Sequence, residues 1–458
     1  MPGIRPGFVR KEGSALIRDL TVGAPRSVLI KFSLPLLGSV IFQQMYNLAD
    51  SLIAGRLIGD NALAAIGNAY EVTLVYLAFA FGCNVGCSVV LGQLFGRRNY
   101  RDLKSAVSTT YIASGILCLV LMALGFGFTP SLLRLIQTPT DILADSQLYL
   151  NIYTGGLLFL FCYNISTGIF SALGDSRTPF VFLVISSLAN IVLNLWFVID
   201  FDLGVTGLAW ATFLCQGVSS ILAFLTVLRR LRSLPKTEAP QLFSRPLLRQ
   251  IVRIAIPSIL QQSFVSVGNI FIQSMVNSFG TTVIAAYSAA IKLNNFAVTC
   301  MGAVGSAMSN FAAQNIGAQK PVRVQHGVRS GLSISIVLSL SFALLYVLFR
   351  KPLIGLFLQD PGSGVLEVGI LFLLIVTPFY PIPATKLVFD GILRGGGAMK
   401  HFMTGTFADL ILRVTLAWLL SAHWGSTGIW LAWPIGWLIG TVLSAFFYRQ
   451  GVWHRCRL

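Results

Sequence analysis

Twelve apolar runs follow one another through the chain, most near the ~20 residues that a helix needs to cross about 30 Å of hydrocarbon. They fall at 32–53, 62–92, 105–126, 147–171, 179–199, 205–228, 250–277, 283–311, 328–348, 367–390, 403–421 and 427–448. A membrane β-barrel shows roughly ten-residue segments of alternating polarity instead, and none is present. The pattern predicts an all-α polytopic membrane protein with twelve transmembrane helices. Composition agrees: only 11% of the 458 residues are charged, against about a quarter in soluble domains, and the mean hydropathy is +0.77.

The net charge of +17 is distributed unevenly between the two sides. Between spans on one side lie only Arg56, Arg134, Arg350 and Lys351, while most of the 33 Lys and Arg residues fall on the side that carries both termini. This is the positive-inside bias, and it places both termini in the cytoplasm. The basic surplus is therefore a topology signal, with contact to anionic membrane lipids as a second effect and no nucleic-acid partner. Residues 1–27 lack the apolar core of a cleavable signal, and with the short loops this points to a bacterial inner membrane. Seven cysteines, six of them in predicted spans, offer no disulfide framework. Cys83 and Cys87 stand four apart without further ligands nearby, which favours packing over a metal site.

The chain repeats itself at an offset of 221 residues. GQLFG at Gly92–Gly96 is matched by AQNIG at Ala313–Gly317, and SALGDSRTP from Ser171 by ILRGGGAMK from Ile392. LGVTGLAWA from Leu203 is matched by WGSTGIWLA from Trp424. Pro35 and Pro257 correspond to within one residue. Six spans per half make the repeat parallel, a transporter architecture. The predicted organisation is a cytoplasmic segment 1–31, an N-terminal six-helix lobe 32–228, a basic, proline-punctuated linker 229–249, a C-terminal lobe 250–448 and a tail 449–458. The linker is expected to be a connector that lets the halves move.

The chain contains no Gly-Lys pair, so the phosphate-cradling GxxxxGK[ST] loop is absent. A gradient-driven transporter, not an enzyme and with no cofactor, is the expected class, with H+ or Na+ as the coupling ion. Coupling needs titratable or oxygen-rich groups inside the membrane, where a central Asp costs about 2.5–3.5 kcal/mol. The first span offers Gln43, Asn47 and Asp50 at i, i+4, i+7; the fifth offers Asn190 and Asn194, and the sixth Thr212. Desolvation favours the neutral acid at Asp50, so that it could carry a proton. The competing account is a structural Asp near a helix end.

QQMYNLADSLIAGRLIGDNALAAIG, VGCSVVLGQLFG, GIFSALGDSRTPF, SLANIVLNLWFV, GVTGLAWAT and, in the second half, AQNIGAQK resemble the multidrug and toxic compound extrusion family, over about Leu29 to Tyr448. The resemblance implies two six-helix lobes in a V, and export of small amphipathic organic cations by alternating access in exchange for protons or sodium ions. It also implies an N-lobe coupling site of Asp50, Asn190 and Thr212. The family often has a carboxylate where this chain has Asn194, so one proton acceptor is missing and any bare sodium site is weakened. A lipid-linked saccharide flippase of the same superfamily is the alternative; such proteins place several cations in the cavity, and Lys292 is the obvious candidate here. A functional monomer is expected.

Further polar groups remain open. Glu71 and Lys292 correspond across the repeat and either face each other across the cavity or serve structure. Gln262, Ser266, Asn269 and Gln273 form a stripe that either lines the cavity or bonds between helices. Lys386, Asp390 and Arg394 form a row, as do Asp409 and Arg413, and such self-neutralising pairs favour a structural role. Pro378, Pro381 and Pro383 predict a bend in the tenth span, and Gly82–Gly86 and Gly92–Gly96 predict close helix packing.

Overall fold

The computed structural model describes residues 18–135, 138–235, 238–357 and 363–455. Residues 1–17 of the expected N-terminal segment, 236–237 of the linker and 456–458 of the tail lie outside the described residues. The first helix, α1, is Pro25–Ile53 and continues through a π turn, Ala54–Ile58. Then follow α2 Asp60–Gly96, α3 Tyr100–Leu135, α4 Thr140–Gly155, α5 Leu157–Ala172, α6 Arg177–Ile199 and α7 Gly204–Ser233. The second half holds α8 Arg245–Asn277, α9 Thr281–Gly317, α10 Pro321–Leu348, a short α11 Arg350–Gly355, α12 Ser363–Val376, α13 Pro381–Gly395, α14 Met399–Trp424, α15 Ser426–Arg449 and a short α16 Val452–Arg455. Among the described residues, 10 helices are long and apolar enough to span singly, and the pairs α4–α5 and α12–α13 are bent by 49° and 51°. Each pair makes one span, so the chain is an all-helical, twelve-span protein.

The helices overshoot the predicted runs. α2 and α9 have 37 residues each, about 55 Å at 1.5 Å per residue, and extend past both ends of the predicted apolar runs. The bend before α13 follows the prolines, through a 3-10 turn at Thr377–Phe379. The bend between α4 and α5 has no proline. Gly156 ends the helix there, and a Cβ at this position would stand 3.3 Å from the Phe213 ring, so glycine lets the ring close on the backbone.

Duplication is written into the backbone. Gly59 and Gly280, Arg98 and Gln319, and Gly204 and Gly425 all have positive φ, and each pair is 221 residues apart. The turns between spans were thus copied along with the spans.

One apolar cluster joins the halves. It gathers the start of α1 (Phe32), the ends of α2 (Leu91) and α9 (Phe311), the start of α8 (Ile251) and the end of α13 (Ile392). All of these lie toward the face that carries both termini, hereafter the terminal face. Toward the opposite face the core separates into a cluster of the second half around Trp430 and Tyr380 and one of the first half around Tyr76 and Phe161. Two lobes fused at one end and separate at the other form a V, closed at the terminal face.

α2 and α9 are the inner helices of this junction: 61% and 72% of their apolar windows are buried, against at most 50% in the other single-helix spans. Their glycines permit it. A Cβ at Gly86 would stand 2.8 Å from the Ile251 carbonyl oxygen of α8, and one at Gly92 would stand 3.1 Å from Ala313 of α9. At the crossing, Gly96 lies against the Gln314 carbonyl and Gly317 against the Gln93 carbonyl. The linker is less slack than its composition suggests. Gln241 and Ser244 donate their N–H groups to Ser105 Oγ (2.9 Å) and Thr109 Oγ1 (3.0 Å) of α3, and Arg101 pairs with Glu238 at 2.9 Å. Its described portion is fastened to the N-lobe, because hydroxyls on α3 satisfy the backbone donors of a segment with no helix of its own.

Candidate functional site

α1 packs along α6, and α6 along α7, which brings Asp50, Asn190, Asn194 and Thr212 together. Asn194 is fully buried and donates from Nδ2 to Asp50 Oδ1 at 2.7 Å and to Asn190 Oδ1 at 2.8 Å. Asn190, also buried, donates to Thr212 Oγ1 at 3.4 Å. With its amide turned end over end, the Asn190 nitrogen stands 3.2 Å from the same Asp50 oxygen, so both asparagines are within reach of the carboxylate. The site follows from spacing: residues four apart on α6 stack on one helix face, and both meet α1 one turn before its π turn. Such turns widen a helix where function often sits. Ile53, Ala54, Val198 and Leu208 pack together beside the site, so that the carboxylate sits against an apolar wall. By chain direction, all four polar residues lie in the half of the N-lobe away from the terminal face, where the V is open.

Tyr46 joins the cluster, within reach of both Asp50 and Thr212. Its i, i+4 relation to Asp50 is the one mark it carries in the sequence. A small cavity of about 10 Å³ adjoins Thr212, lined by Tyr149, Tyr153, Phe213 and Gln216 among others.

The residues expected to line the cavity are not drawn into this cluster. Gln43, Asn47, Glu71, Gln262, Asn269 and Lys292 are exposed. Asn47 donates to Gln44 at 3.4 Å, not to Asp50. Glu71 and Lys292 do not pair: the Lys292 ammonium lies over the Phe357 ring, 5.5 Å from its centroid, in the cheaper arrangement for a lone cation at a rim.

In the C-lobe, Lys386 pairs with Asp390 at 2.7 Å, and Ser444 donates to the other Asp390 oxygen at 2.6 Å. Arg413 pairs with Asp409 at 3.3 Å and lies over Trp433. Arg394 does not extend the row, and packs instead over Phe402. Both pairs press on α15 at Gly436 and Gly440, which makes them the polar seam of α13, α14 and α15.

The MatE family profile matches residues 35–196 and 257–419, once in each half. The chain belongs to the MatE family. A relative described as a probable multidrug resistance protein, YpnP of Bacillus subtilis (strain 168), is 30% identical over 447 residues, covering 96% of this chain and 98% of its own. An FAD transporter of Shewanella oneidensis is 27% identical, covering 89% and 91%. The structure of a multidrug resistance MATE family transporter in an outward-facing conformation superposes with a TM-score of 0.89 at 22% identity, covering 96% of this chain and 99% of that one. MatE chains are membrane transporters of twelve helices in two lobes, as here.

Proposed function

We propose that the protein exports amphipathic, cationic compounds in exchange for protons, with Asp50 as the proton carrier and the cytoplasm at the terminal face. The observation that carries this is the Asp50 carboxylate, met by the amide N–H of the buried Asn194. That donor stabilises a charged carboxylate without a metal ion. An N–H aimed at Asp50, where the family often has a second acid, supports proton coupling over sodium coupling. Protonation cancels the charge that Asn194 holds. Asp50 can then part from α6, and this loosens the packing of α1 on the open side. One carboxylate suffices energetically. Export against a hundredfold gradient costs about 2.7 kcal/mol; a proton entering down 100 mV gains about 2.3 kcal/mol and each pH unit adds about 1.4 kcal/mol, so about two pH units alone match the cost. A monovalent cation exchanged one for one moves no net charge, so the pH gradient alone would then drive it.

The lobes in this structure are parted on the side away from the basic face, which supports an outward-facing state by the positive-inside rule. The flippase reading draws no support: Lys292 lies over Phe357. The test is dye flux in proteoliposomes with pH and sodium gradients imposed separately, using ethidium and, because a relative is an FAD transporter, FAD as a second probe. Ethidium flux driven by pH alone is expected. Flux driven by sodium alone would contradict the coupling, and FAD flux without ethidium flux would contradict the substrate class.

A further inference from the structure

The chain before α1 is bound to both lobes at once. Leu20 is fully buried inside the apolar cluster that joins the halves. Its N–H donates to Gln314 Oε1 at 2.9 Å, and the same carboxamide donates from Nε2 to the Ala172 carbonyl at 2.7 Å. One C-lobe side chain thus ties this segment and the end of N-lobe helix α5 together. The Leu20 carbonyl accepts from Asn315 Nδ2 (3.3 Å) and Arg323 Nη2 (3.1 Å), the Gly23 carbonyl from Arg323 Nη1 (2.6 Å), and the Thr21 carbonyl from Lys320 Nζ (3.0 Å). On its other side, the Arg18 carbonyl lies against Gly174 in the α5–α6 turn of the N-lobe. Gly174 has φ +75, and no Cβ fits between it and that carbonyl.

We propose that residues 18–23 are a strap that locks the terminal face shut, with Leu20 as its bolt and Gln314 as its catch. A segment anchored to one lobe would travel with that lobe. This one holds the α9–α10 turn of one lobe and the α5–α6 turn of the other, so the face cannot open until one set of bonds is broken. The linker, which precedes α8 as the strap precedes α1, does not repeat this arrangement in its described residues: Leu242, 222 residues after Leu20, is 75% exposed, and the N–H groups of Gln241 and Ser244 end on α3. Among the described residues, Leu20 thus has no buried counterpart at the corresponding place before α8.

The test uses the full chain in nanodiscs, with native cysteines replaced and spin labels at Arg98→Cys and Gln319→Cys, exposed turns on opposite lobes. The unaltered strap is expected to give one short distance distribution. Leu20→Asp is expected to add a longer component, with the open-to-closed ratio raised by about tenfold or more. A distribution identical to that of the unaltered strap would overturn the proposal. Should Leu20→Asp not fold, Gln314→Ala decides by the same reading. A second arm links Thr21→Cys to Lys320→Cys by a disulfide. Flux that stops on oxidation and returns with reductant supports the strap; flux unchanged by complete linkage overturns it. The flux arm rests on the transport reading, whereas the distance arm does not. A protein without flux but with strap-dependent distances would count against transport and leave the strap standing.

Discussion

Asp50 has a buried amide, Asn194, as its donor at the position where the family resemblance implies a second acid, and this difference is open to test at single positions. Asn194→Leu removes a charge-assisted hydrogen bond and leaves Asp50 without that donor, a loss of about 1.5–3 kcal/mol for the charged form. The variant is expected to hold Asp50 neutral and to lose pH-driven flux while still inserting in the membrane. Asn194→Asp restores a pair of acids. It is expected to raise the melting temperature when sodium replaces choline in the buffer, a shift that the native sequence should not show. Asn190, Asn194 and Asp50 were legible because four-residue spacing on one span and a lone acid on another are rare in apolar sequence. Tyr46 was less legible, since among 12 tyrosines and 33 phenylalanines only its four-residue spacing from Asp50 marks it. Gln43, Asn47 and Gln262 show the converse: polarity on a helix face says that a residue avoids lipid, but not which helix it meets.

Among elements, the C-lobe seam and the α2–α9 crossing carry the sharpest expectations. Lys386 and Asp390 are buried partners, so breaking the pair by Asp390→Leu leaves an uncompensated cation and should destabilise by about 3–5 kcal/mol. The double variant Lys386→Met with Asp390→Leu should melt closer to the native protein than either single variant does. A double variant less stable than both would mean that the pair is net stabilising. At the crossing, Gly96→Ala and Gly317→Ala each push a methyl group into a backbone carbonyl of the other lobe. Both are expected to reduce flux and to open the terminal face to similar degrees, as the pseudo-symmetry requires; spin-label distances across that face check this. The sequence announced Gly96 and the bend before α13, but Gly317 only as its partner in the repeat. It did not announce the bend at Gly156, because glycine there answers to the Phe213 ring, a contact between residues far apart in the chain.

At the scale of the whole molecule, one core shared by the lobes and separate clusters within each define the state of the protein: closed toward its basic face and open on the other. The twelve spans, the duplication and the uneven charge could be read directly from hydropathy, the 221-residue offset and the placement of Lys and Arg. Which face is closed could not be read, because both states of a V use the same helices and differ only in which ends meet. Sidedness is checked by a membrane-impermeant maleimide on a background without reactive thiols. Ser278→Cys, in the α8–α9 turn, should label in right-side-out vesicles, and Arg98→Cys, in the α2–α3 turn, only in inverted ones. The reverse pattern would invert the topology and turn the proposed exporter into an importer. The most direct measurement of the central claim is ethidium flux into inverted vesicles under an imposed pH gradient, comparing the native protein with Asp50→Asn at equal folded content. Proton coupling through Asp50 requires pH-driven flux in the native protein and a fall to the protein-free background in the variant. Flux that survives the substitution would place the coupling elsewhere and contradict the account.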